Sequence, residues 1–215
     1  MNKKLLVAVS LMVVALSAGS AMAEEQTYLS VRGGVFMPNS EKGDDYQGLS
    51  YFDTGYNIDV AIGYRPVSYA AIEVGTGFYS AEGTINRQDY TIDRTLSGVP
   101  ITLTVKGIQE FDRLTLSAGA GVGLYQGFMD NKISYSDGSP GVDESNHGTA
   151  VGYQAVFDAD FKVNDHWAVG VNFKWFSARP EIELDTVDQY GETTTTKEKW
   201  EIGGTTVNLG VKYNF

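Results

Sequence analysis

The chain has 215 residues, a formal net charge of −11 and no cysteine. That acidity argues against a binder of nucleic acid, whose affinity comes from Lys and Arg neutralising phosphates. The missing thiols exclude disulfides, a thiolate metal site and a lipid-anchored N-terminal cysteine, so sheet hydrogen bonds and packing must hold the fold.

Met1 to Ala23 opens with Lys3 and Lys4, continues as an apolar run from Leu5 to Leu16 and ends in Ala21-Met22-Ala23. A basic start, a short apolar core and an A-x-A site make a secretory signal peptide. The apolar run is too short for a spanning helix, which needs about 20 residues. Cleavage is expected after Ala23, with Ala21 and Ala23 forming the site and Glu24 the new N-terminus. Residues 1–23 are then the signal peptide and 24–215 one domain.

From there on the periodicity is two, not 3.6, in segments of about ten residues. They run Gln26–Met37, Gly55–Tyr64, Tyr69–Tyr79, Val99–Ile108, Leu114–Gly127, Ala150–Val163, Trp167–Ser177 and Thr205–Phe215. Further strand could lie within Gly83–Leu96. The connections alternate between tight turns (65–68, 109–113, 164–166) and long polar stretches (38–54, 80–98, 128–149, 178–204). Short turns at one end and long loops at the other are the plan of an outer-membrane barrel. The expected fold is all-β, an eight-stranded antiparallel up-and-down transmembrane β-barrel with both termini in the periplasm.

Alternation alone fits a soluble barrel equally well, with the apolar face inward. Three features favour lipid outside. In the fifth segment the polar face is Thr115, Ser117, Gly119, Gly121 and Gly123, suited to a crowded interior. Aromatics cluster near strand ends on the apolar face: Tyr56, Tyr64, Phe78, Tyr153, Trp167, Trp175, Tyr213 and Phe215. Such girdles mark the two membrane interfaces. The last strand runs to the final residue, with Val207, Leu209, Val211, Tyr213 and Phe215 on one face, and it must close against the first, because lipid leaves no backbone group unpaired.

A terminal strand ending in Phe resembles that of small outer-membrane β-barrels of Gram-negative bacteria, through Leu209, Gly210, Tyr213 and Phe215. The resemblance implies that these residues are the membrane-insertion signal read by the barrel-insertion machinery. "VRGGVFMP", "LSAGAGVGLYQGFMDN" and "GYQAVFDADFKVNDHWAVGVNFKW" are similar to strands of OmpW-like barrels. That likeness implies passage of small hydrophobic solutes across the outer membrane.

Parity directs nine charges inward: Arg32, Lys106, Lys162, Lys174 and Lys212 against Asp59, Glu73, Asp158 and Asp160. Arg32, Asp59, Glu73 and Asp158 are expected at one depth, with Lys106, Asp160 and Lys212 a layer below. Charges in a narrow lumen must pair, so the expectation is an ion-pair plug rather than a selectivity lining. Gly119 to Gly123 lacks the helix and spacing of a phosphate loop; it is expected to thin the wall for a side chain crossing from the opposite side. His147 lies beside Ser145 and Glu144, but neighbours on one loop seldom converge into a catalytic triad. No catalytic residue, cofactor or metal site is therefore expected. The loop acids (Asp44, Asp45, Asp143, Glu144 and those in Glu181–Glu201) form no calcium-loop pattern, although divalent cations could bridge them to lipopolysaccharide phosphates. The reading is a non-enzymatic surface barrel with long acidic loops, with transport as the alternative; the sequence fixes no oligomeric state.

Overall fold

The computed structural model describes residues 26–39, 52–137, 140–179, 181–187, 193–199 and 202–215. The expected signal peptide with Ala21, Ala23 and Glu24, and the Asp44-Asp45 pair, lie outside them. Eight strands close into a barrel: β1 (Thr27–Pro38), β2 (Gly55–Val67), β3 (Ala70–Asn86), β4 (Tyr90–Phe111), β5 (Leu114–Tyr135), β6 (Val142–Lys162), β7 (Trp167–Ala178) and β10 (Ile202–Asn214). Between β7 and β10 stands a separate antiparallel ribbon, β8 (Glu181–Val187) with β9 (Thr193–Lys199). Consecutive strands pair around the ring, and the last closes on the first from Tyr28↔Asn214 to Pro38↔Gly204. Even the final amide is used: Phe215 N–H donates to the Thr27 carbonyl at 3.1 Å.

The facing is that of a membrane barrel. Leu209 is 71% exposed and Val151 73%, while Asp158 is fully buried and Lys106 is 2% exposed. A soluble protein would reverse both. Val74, Leu103, Val105, Val122, Phe173 and Val171 belong to the same exposed apolar wall. Aromatics mark its two borders. Tyr56–Phe78 and Tyr153–Trp175 pair at 6.1 and 5.5 Å at the loop end, and Trp167, Tyr213 and Phe215 stack edge to face at the turn end.

The further strand allowed for within Gly83–Leu96 is present, and most of 128–149, expected as loop, is strand as well. β4 and β5 have 22 residues each, about twice what a tilted strand needs to cross a bilayer. They stay in register up to Tyr90↔Tyr135, so residues 80–86, 90–98, 128–135 and 142–149 form a sheet standing above the membrane. The sheet carries its own inner row, Ile85↔Ile92↔Ile133. Outside lipid the outer face need not be apolar, so Asp93, Lys132 and Asp143 sit there and dilute the alternation.

Candidate functional site in the barrel lumen

Inward side chains fill the barrel in layers. At the loop end Phe36, Tyr79, Tyr125 and Phe176 pack with Leu96, Met129 and Ile202. Phe36 and Tyr79 approach to 4.9 Å, and Tyr125 stacks on Phe176 at 5.4 Å. Beneath this cap Lys174 reaches both oxygens of Asp59 at 2.7 Å. Asn208 links Asn172 and Thr206 at 3.1 Å each, and Gln154 bridges Tyr125 to Thr104.

Next comes a buried quartet. Lys106 Nζ donates to Glu73 at 2.8 Å and to Asp158 at 2.9 Å. Arg32 lies 3.1 Å from Asp158 and 3.7 Å from Glu73. Asp158 is the hub, since Ser117 and Asn172 also donate to it, at 2.9 and 2.8 Å. Below the quartet Lys212 pairs with Asp160. Buried charges are tolerable only when paired in this way, because each ion costs several kcal/mol to dehydrate; Arg32 Nη2 has the Asp158 charge beside it but no hydrogen bond.

Lys106 starts from a position two residues nearer the turn end than Glu73, opposite Ala71, but its ammonium rises to join Arg32, Glu73 and Asp158. Asp59 pairs with Lys174 above that quartet. The clearest departure is Lys162. Its parity is inward, but it sits at the turn-end rim, where it shares Glu110 with Arg65. Parity gives direction, whereas depth depends on distance from the strand end, and Lys162 is the last residue of β6. A neutral residue was also overlooked. Tyr28 donates from its hydroxyl to Glu73 at 3.1 Å, and its ring lies between Lys212 (4.9 Å) and Arg65 (5.5 Å). The same parity rule would have found it.

Glycine supplies the room. Arg32 faces Gly210 across the ladder and Lys106 faces Gly119. A Cβ on Gly210 would stand 2.6 Å from Arg32 Cγ, and one on Gly119 2.8 Å from Lys106 Cγ. The thin wall at Gly119–Gly123 thus serves the adjacent strand, not a side chain from the opposite wall. Leu209, Gly210, Tyr213 and Phe215 all lie on β10 or at its end, with Leu209 toward lipid and Tyr213 in the lower aromatic group.

Nothing in this constellation is arranged for a metal: among the described residues no cluster of three or more His, Asp or Glu could hold one. Ser145 Oγ donates to Asp130 at 2.6 Å, and His147 is exposed on the same strand. A closed ring with apolar exterior, paired terminus and ion-filled lumen is the architecture of outer-membrane barrels. Residues 7–215 match the outer membrane protein β-barrel domain. The chain belongs to that family.

Its place is accordingly the outer membrane, and the turn end of the barrel faces the periplasm. A comparison with curated proteins finds no match. Among solved structures, the neisserial surface protein NspA is 12% identical with a TM-score of 0.52, covering 88% of this chain and 97% of that one. OprG of Pseudomonas aeruginosa is 12% identical at 0.53, covering 90% and 99%. OmpW of Escherichia coli is 16% identical at 0.37, covering 90% and 100%. At these identities the likeness is one of fold, carried by the first two.

Proposed function

We propose that this protein is a non-enzymatic surface barrel that presents its extracellular sheet and ribbon and keeps its lumen shut. The observation that carries this reading is the stacking of an aromatic cap on an ion-paired floor. Between them lie two cavities of about 30 and 10 Å³, with room for one or two waters. In this reading Arg32, Glu73, Lys106, Asp158, Asp160 and Lys212, with Asp59 and Lys174 above them, act as a plug. The outer-membrane lipid and lipopolysaccharide are its surroundings, with divalent cations bridging loop carboxylates to phosphates. Leu209, Gly210, Tyr213 and Phe215 serve as the signal for the insertion machinery.

One observation favours the transport alternative. The β3–β4 ladder pairs Thr76↔Ile101 and resumes only at Tyr79↔Gly98. Pro100 lies in the interval, has no N–H to give, and accepts instead from the Thr76 hydroxyl at 2.9 Å. The 30 Å³ cavity reaches Thr76 and Pro100, so the lumen borders an interruption of the wall through which a solute could leave sideways. Charged and amide groups line much of that cavity, including Arg32, Asp59, Glu73 and Lys174, which suits an apolar solute poorly.

Planar-bilayer recordings separate the readings. The plug predicts little steady ion current through the wild type and leakage in Glu73→Ala, which strips Lys106 and Tyr28 of an acceptor. Large, steady wild-type currents that the substitution leaves unchanged would remove the plug.

A further inference from the structure

At the periplasmic end, beneath Tyr28, lies a vestibule of about 530 Å³, within the size range of small-molecule sites. Six charged residues line it: Arg65, Arg113 and Lys162 against Glu110, Asp112 and Asp165. Their signs balance, but their pairing does not. Glu110 is already taken by Arg65 at 2.9 Å and Lys162 at 3.1 Å. The remaining charges, Arg113, Asp112 and Asp165, have no ion pair among the described residues, and Arg65 Nε is buried without an acceptor. Tight turns hold them in place. Asp112 and Arg113 are the two residues joining β4 to β5, with Asp112 at φ 49°. Asp165 sits between Asn164, whose side chain accepts from the backbone N–H of His166 and Trp167, and His166 itself.

A polyanion would meet Asp112 and Asp165, and a polycation would meet Arg113. A ligand bearing both free carboxylates and free amines complements all of them. The floor is closed by Tyr28 and the Lys212–Asp160 pair above it, so the ligand must enter from the periplasm. There, beneath an outer membrane, the abundant zwitterionic polymer is the cell wall with its peptide stems. We propose that the periplasmic vestibule binds these peptide stems, a stem carboxylate toward Arg113 and a stem amine toward Asp112 and Asp165, tethering the barrel noncovalently to the wall. The inference rests on outer-membrane placement and is independent of whether the lumen conducts.

The test is co-sedimentation of the detergent-folded mature protein with purified sacculi, with intact folding of each variant checked by its gel mobility before and after boiling. Intact sacculi should carry the wild type down, and an excess of free stem tripeptide should displace it into the supernatant. Arg113→Glu should lower the bound fraction about tenfold or more, since a charge-assisted contact becomes a repulsive one. Asp165→Asn should lower it less. Wild-type protein left in the supernatant, sedimentation that excess tripeptide does not reverse, or full binding by both folded variants overturns the proposal. A free stem tripeptide that binds the protein while sacculi do not would reassign the vestibule to soluble peptides and overturn the tether.

Discussion

The two halves of the lumen solve one packing problem with opposite chemistry. Above, Phe36, Tyr79, Tyr125 and Phe176 fill the barrel by shape. Below, Arg32, Lys106, Glu73 and Asp158 fill it by charge. An apolar cluster loses stability in proportion to the atoms removed, and similar shapes can substitute for one another. An ionic cluster is stable only while complete, because every deleted partner leaves a dehydrated charge behind. The upper half should therefore weaken gradually, and the lower half should fail at a single residue.

Asp158→Ala should show the largest effect. It removes the hub that Lys106, Ser117 and Asn172 donate to and that Arg32 approaches. Glu73 alone would then face two cations. The expected loss is about 3–5 kcal/mol, the cost of breaking a fully buried pair, read as a shift in urea unfolding in detergent or lipid vesicles. Asp158→Asn, which keeps the shape, should recover little of it. Near-complete rescue by Asn would mean that packing, not charge, holds the floor.

Phe36→Leu probes the upper half. Phe36 is completely buried between Tyr79 and Phe176, yet the change keeps an apolar side chain of moderate size. A cost of about 1–1.5 kcal/mol is expected, as for a tolerated apolar swap, measured in the same titration. A loss matching Asp158→Ala would abolish the distinction between the halves.

How much of this was readable beforehand follows the same division. Strand parity places Arg32, Glu73, Lys106 and Asp158 inside because lipid forces every second residue of a spanning strand to be apolar. Above the membrane that pressure ends, so alternation allows for strand around Ile92 but does not reveal it through Ile133, although the two strands stay in register. Pairing was harder than facing. That Lys106 joins Asp158 while Lys174 turns to Asp59 depends on stagger between strands far apart in sequence, 52 and 115 residues for these two contacts. No local pattern encodes that stagger. The vestibule is harder to read because Asp112, Arg113 and Asp165 lie in turns, where alternation says nothing about facing.

Lys162→Met should have the smallest effect and bears most directly on the boundary of the ionic floor. Lys162 makes the same kind of contact as Lys106, an ammonium donating to a glutamate, at 3.1 Å rather than 2.8 Å. The difference is water. The Lys162 and Glu110 side chains are 36% and 39% exposed, against 2% and 8% for Lys106 and Glu73. Exposed pairs contribute roughly 0–1 kcal/mol, since solvent screens the attraction and stands in for the lost partner. Glu110 also keeps Arg65, so no carboxylate is stranded. Unfolding of Lys162→Met should therefore track the wild type to within about 1 kcal/mol, with any difference shrinking in high salt. A loss as large as that of Asp158→Ala, insensitive to salt, would place Lys162 within the dehydrated cluster and move the floor down to the rim of the barrel.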